Sequence, residues 1–154
     1  MFEPTIYIAS DHDGRLVKNE IVQHLKSTNK DFLIEDISPK NEYPVDFPIY
    51  ALMIADLVKE RPGENFGVLL SKTGNEMAVA ANKIKDIRAI VCWNIQSAEE
   101  GRKILDANIL CLPADISTLN NPLEIIDAFI KRGPSQNEDH FRRRYLLEKL
   151  IDAL

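Results

Sequence analysis

Cysteine is nearly absent: Cys92 and Cys111 are the whole complement of a 154-residue chain. Each lies inside an apolar run, AIVCW and NILCL, so two buried free thiols are expected and not the loop-borne disulfide framework of a small secreted domain. A basic surplus is missing as well. Nineteen Lys and Arg against twenty-four Asp and Glu leave a formal charge of −5, which gives no reason to expect a nucleic-acid partner. No stretch approaches the roughly 18 apolar residues of a membrane span. The opening MFEPTIYIASDHDG, with its early Glu and Pro, has the form of neither a signal nor a transit peptide, so a cytoplasmic protein without membrane contact is expected. Nucleotide signatures are lacking too. No G-x-G-x-x-G follows the first apolar run, and no loop has the two-glycine spacing of a Walker motif.

What remains suits one globular domain spanning residues 1–154. Apolar residues make 45% and charged residues 28%, the ordinary globular mixture. At this length about two thirds of the surface is buried on folding, so the core needs no metal or disulfide staple. Short apolar runs at Thr5–Ala9, Phe32–Ile37, Phe66–Leu70, Ile90–Trp93 and Ile109–Leu112 read as strands. Between them lie helical patterns. One runs from Arg15 to Lys26, with Leu16, Val17, Ile21 and Leu25 on its apolar face and Lys18, Glu20 and Lys26 opposite. Others run from Pro48 to Lys59, through Met77, Ala80, Ala81 and Ile84, from Ser97 to Leu105, and from Pro122 to Lys131. Gly133-Pro134 breaks the chain before a last helix near Glu138 to Ala153, which is free to lie on its own sheet or on a neighbour's. Apolar strands alternating with amphipathic helices predict an α/β fold, a parallel sheet covered on both faces.

In such sheets ligands bind beyond the carboxyl ends of the strands, where the strand order reverses. Two loops there are unusually polar: Asp11-His12 after the first strand and Ser71-Lys72-Thr73-Gly74-Asn75 after the third. If those strands are neighbours, the loops share one crevice. Gly74 permits positive φ or close backbone approach, and the loop is either an anion cradle or a well-capped turn. Asp11-His12 is either an acid–base pair or a helix cap beside an exposed imidazole. Arg142-Arg143-Arg144 with His140 is either a phosphate clamp or a solvated face answering Glu138, Asp139 and Glu148. His24 is expected at the surface and Trp93 in the core.

Taken together, Asp11-His12, the Ser71–Asn75 loop, Ala80-Ala81-Asn82-Lys83-Ile84, Ile87-Arg88-Ala89 and Asp106-Ala107-Asn108 form a series that resembles the ribose-5-phosphate isomerase B type. That sugar-phosphate isomerase family also contains the galactose-6-phosphate isomerase subunits, and the resemblance covers nearly the whole chain. It implies a Rossmann-like three-layer sandwich with a five-stranded parallel sheet. It also implies aldose–ketose isomerisation through an enediolate, no metal and no cofactor, and a homodimer or homotetramer with shared sites. Ser71 stands where many members have a cysteine base; Thr73, Gly74 and Asn75 match the anion-cradling loop. Lys72 and Glu76 replace common glycines, and Glu76 lies one residue before the place, here Met77, of a glutamate base in another branch. The resemblance thus implies Ser71, Thr73 and Glu76 in catalysis. Substrate contacts fall to Asp11, His12, Lys72, Gly74 and Asn75, with Arg144 and His140 from the tail. Departures are Ile104 at the ring-opening histidine, Leu105 at the asparagine after it, and Asp115 at an expected basic contact. They imply, as the alternative, an impaired member acting as a sugar-phosphate-binding or partner subunit.

Overall fold

A computed structural model describes residues 3–39, 44–115 and 121–154. Its five strands are β1 (Thr5–Ser10), β2 (Leu33–Asp36), β3 (Phe66–Ser71), β4 (Ala89–Val91) and β5 (Ile109–Pro113). The helices are α1 (Arg15–Thr28), α2 (Phe47–Glu60), α3 (Asn75–Ala81), α4 (Ile95–Leu105), α5 (Pro122–Lys131) and α6 (Glu138–Asp152). All strand pairs are parallel and the order is β2-β1-β3-β5-β4. The chain moves one way from β1 to β2 and the other way from β1 to β3, so the switch point lies between β1 and β3, whose register pairs Ser10 with Leu70. This is the expected Rossmann-like sandwich.

Side-chain alternation splits the core in two. Ile6, Ile8, Val68, Leu70, Leu110 and Leu112 face one side, where they meet Val17, Ile21 and Leu25 of α1, Ala98 of α4, and Ile125 and Phe129 of α5. Ala9, Leu69, Ile109 and Cys111 face the other side, against Ala51, Ile54 and Val58 of α2 and Met77 and Ala81 of α3. Both thiols are buried and free, and burial pushes the Cys92 thiol up to about 11.

Several local expectations need correction. Lys18 is buried, its ammonium donating to Asp36 Oδ2 at 2.6 Å, while Leu16, assigned to the apolar face, is 73% exposed. His24 is largely buried and lies 2.9 Å from Asp127 Oδ1, bridging α1 to α5. Trp93 is exposed, because β4 ends at Val91 on the sheet edge. Residues 40–43, in the connection before α2, lie outside the described residues.

α6 differs from the other helices. None of its residues is buried, and Phe141, Tyr145, Leu150 and Ile151 are each more than half exposed. Polar contacts hold it to the body. Arg144 donates to the carbonyls of Lys103, Ile104 and Ser135, Glu148 pairs with Arg88, and Asp152 pairs with Lys85.

Candidate active site

The β1–α1 loop is packed directly onto the end of β3. The Asp11 amide donates to the Leu70 carbonyl at 3.1 Å. Gly14 makes this possible, since a Cβ there would lie 2.7 Å from both Cβ and the carbonyl oxygen of Leu70. Asp11 is buried, and its Oδ1 accepts from the amides of Asp13 and Gly14 at 3.0 and 3.1 Å. Burial is the largest influence on its carboxyl and raises the pKa; the Gly14 amide, His12 and the Asp13 amide oppose that, and the charge of Asp13 adds to it. Asp11 therefore caps the turn ahead of α1, whose N-cap is Gly14, and His12 is exposed beside Asp13.

The β3–α3 loop turns through Gly74, at φ 80°, a left-handed conformation costly for any other residue. A Cβ at Gly74 would lie 3.2 Å from the backbone of Leu112 and of Pro113, so this turn is also pressed against β5. The Ala114 amide donates to the Ser71 carbonyl at 2.8 Å, which brings the Asp115 segment alongside. Within the loop, the hydroxyls of Ser71 and Thr73 both donate to Glu76 Oε2 at 2.8 Å. The Gly74 amide donates to Ser71 Oγ at 3.1 Å and the Asn75 amide to Thr73 Oγ1 at 3.3 Å. Burial works to raise the Glu76 pKa. Hydrogen bonds from its own amide, the Thr73 and Ser71 hydroxyls and the Thr73 amide outweigh it, and hold the carboxyl below the usual glutamate value.

The structure therefore brings Asp11, Ser71, Thr73, Gly74 and Glu76 to one end of the sheet, with His12, Lys72 and Asn75 exposed around them. Arg15, not singled out from the sequence, lines a small cavity with Ser10, Asp11, His12 and Ser38. Its place in the first turn after Asp11-His12 was the available signal. Arg144 and His140 are not brought there. Arg144 holds the carbonyls that end α4, and His140 Nδ1 lies 2.7 Å from Ser135 Oγ. α4 ends just before β5 begins, so both residues sit at the opposite, amino end of the parallel sheet, with Ile104 and Leu105.

Asn82 and Asn108, from two of the family-specific motifs, bond to backbone. Asn82 pairs with the backbone N–H and C=O of Ala89 at 2.8 and 2.9 Å. Asn108 takes the Arg88 amide and donates to the Asp86 carbonyl. Both asparagines splice the entrance of β4 into the sheet. A cavity of about 540 Å³ also opens at this amino end, lined by Ile84, Ile87, Arg88, Leu105, Leu147 and Ile151 among others, away from the polar loops. Among the described residues no three His, Cys, Asp or Glu side chains converge to hold a metal ion, and no helix is long and apolar enough to cross a membrane.

A family model described as Ribose/Galactose Isomerase matches residues 6–146. The chain belongs to that family. A Mycoplasma genitalium protein named as a probable ribose-5-phosphate isomerase B is 34% identical over 148 residues, 95% of this chain and 93% of that one. Ribose-5-phosphate isomerase B of Mycobacterium tuberculosis is 29% identical over 138 residues, 90% of this chain and 84% of that one. The crystal structure of the Mycoplasma genitalium isomerase with bound ribulose 5-phosphate superposes with a TM-score of 0.89 at 30% identity, covering 97% of each chain. This ribose/galactose isomerase family member is a sugar-phosphate aldose–ketose isomerase by descent and fold, and the reading as a silent partner subunit is not favoured.

Proposed function

We propose that the chain interconverts an aldose phosphate and its ketose at the junction of the β1–α1 and β3–α3 loops, with ribose 5-phosphate as the first substrate to test. One observation supports this reading above the others. Ser71, Thr73 and Glu76 form a single hydrogen-bonded group at the carboxyl end of β3, against the buried Asp11 turn and at the switch point of the sheet.

The reaction needs a base beside C2 of the open-chain aldose. Removing the C2 proton leaves its electron pair to form the C1–C2 double bond, while the carbonyl π pair moves onto O1. Returning that proton to C1, with the O2 hydroxyl proton passing to O1, gives the ketose. The balance needs no oxidant and no cofactor. Ser71, Thr73 and Glu76 form the group that serves the proton transfer, and Gly74 and Asn75 shape the wall against the enediolate. Asp11 and His12 face the sugar hydroxyls, and Lys72 at the rim attracts the phosphate.

The reading includes a second copy of the chain. Arg144 and His140 lie at the far end of their own sheet, so they reach a substrate only across an interface. The apolar, unburied face of α6 supports one. Reaction in D2O with ribose 5-phosphate, followed by NMR, tests the chemistry: deuterium at the carbon beside the carbonyl is expected. No turnover and no exchange with pentose, tetrose and hexose phosphates overturns the reading.

A further inference from the structure

The β3–α3 loop turns its own donors inward. Two hydroxyls are directed at the Glu76 carboxylate, and the Gly74 and Asn75 amides are engaged by Ser71 Oγ and Thr73 Oγ1. The donors of the loop are thus committed to its own side chains. A carboxylate held by such donors is well suited to stay ionised and poorly suited to take a proton from carbon. Ser71 is no better placed. Its hydroxyl is fully buried, accepts from an amide and donates to Glu76, and a hydroxyl is a far weaker acid than the carboxylic acid that would have to hold its proton.

We propose that Glu76 is the carbon base and that the Ser71 and Thr73 hydroxyls are a latch on it, released when the substrate's oxygens take those hydroxyls over. Once released, the carboxylate loses the donors that weaken it and stands beside the C2 proton. The hydroxyls then face the developing enediolate oxygens, where they stabilise the transition state more than the ground state. Glu76 is thus the catalytic base, and Thr73 acts twice: it holds Glu76 in the free protein and faces the enediolate in the complex. The inference rests on the isomerase reading above. It adds which group carries the proton and why that group is quiet without substrate. The other charged groups at this end of the sheet are Asp11, Asp13 and His12 on the β1–α1 loop, Arg15 in the first turn of α1, Lys72 on the β3–α3 loop and Asp115 after β5. Burial and hydrogen bonds are the largest influences on the Glu76 carboxyl, ahead of any of these charges.

The test is the pH dependence of ribose 5-phosphate isomerisation. The acid limb of kcat/KM reports the free protein and that of kcat the complex. The latch predicts that the kcat limb lies at higher pH than the kcat/KM limb. Thr73→Val removes one charge-assisted donor. It should move the kcat/KM limb up by about one pH unit and leave the kcat limb in place. Glu76→Gln should lower kcat, and solvent exchange with it, by about 10²–10⁴-fold. Ser71→Ala, which loses an enediolate donor but not the base, should lower kcat yet still show exchange. Coincident limbs in the parent protein, or an unmoved kcat/KM limb in Thr73→Val, overturn the latch. So does a folded Glu76→Gln variant with parental kcat, or loss of exchange in Ser71→Ala alone. Should Glu76→Gln fail to fold, the limbs of the parent and of Thr73→Val still decide. A parent protein without turnover instead overturns the isomerase reading itself.

Discussion

At the scale of single residues, two positions separate structural strain from chemistry. Asp11 holds two loop amides with Oδ1, and its carboxyl is raised chiefly by burial. A raised carboxyl binds more protons folded than unfolded, so its contribution to stability falls as pH rises from the ordinary aspartate range through the raised value. Asp11→Asn keeps the Oδ1 acceptor and removes the buried charge. Its urea midpoint at pH 7 should equal or exceed the parent's, while Asp11→Ala, which loses the cap, should cost about 1 kcal/mol. Gly74 and Gly63 both have φ 80°, but a Cβ at Gly63 meets nothing within 4 Å, whereas one at Gly74 meets β5 backbone. Gly63→Ala should cost about 1 kcal/mol and Gly74→Ala more, of order 1–3 kcal/mol, by the same denaturation measurement. The difference isolates the contact with β5. The sequence marks Gly74 as a place for positive φ or close approach, but not that β5 is the backbone it meets.

Among elements, the contact of α1 with β2 shows how polarity inside a helix pattern misleads. Lys18 falls on the polar side by periodicity, yet it is buried because β2 is a short edge strand that offers Asp36 at 2.6 Å. Breaking the pair is predicted to be asymmetric. Asp36→Ala strands a buried ammonium and should cost about 3 kcal/mol. Lys18→Met leaves a carboxylate that is 30% exposed, which water can serve, and should cost less. Equal losses in chemical denaturation would show that the ammonium reaches water once its partner is gone. Asn82 and Asn108 carry the opposite lesson. They belong to the most recognisable motifs of the chain, and their side chains close backbone hydrogen bonds at the entrance of β4. A family signature records packing as readily as catalysis.

For the whole molecule, the decisive fact is that the resemblance's site residues fall at two ends of one sheet. Asp11, Ser71, Thr73 and Glu76 lie at the carboxyl end, and Arg144, His140, Ile104 and Leu105 at the amino end. A closed pair of chains related by a two-fold axis could join the two halves twice. This makes a complementation experiment the sharpest test of a shared site. Under the proposed pairing, the Glu76→Gln and Arg144→Ala variants should each be strongly impaired. Unfolding and refolding them together in equal amounts should restore about a quarter of the parental activity, because half the dimers are mixed and each carries one intact site. No recovery, with mixed dimers demonstrated by mass spectrometry, would place both residues in one chain's site or leave Arg144 purely structural.

The alternation of elements, the two apolar faces of the sheet, the buried free thiols and the family were all legible in the residues, because each is written in local periodicity or contiguous motif. Tertiary structure decided the rest. It set the neighbourhood of β1 and β3, the burial of Lys18, the exposure of Trp93 at the sheet edge, the closing of Ser71 and Thr73 onto Glu76, and the separation of Arg144 from the loops it was grouped with. Periodicity tells which side of an element avoids water. Which polar group finds which partner depends on the order and register of strands distant in sequence, and no local pattern contains that.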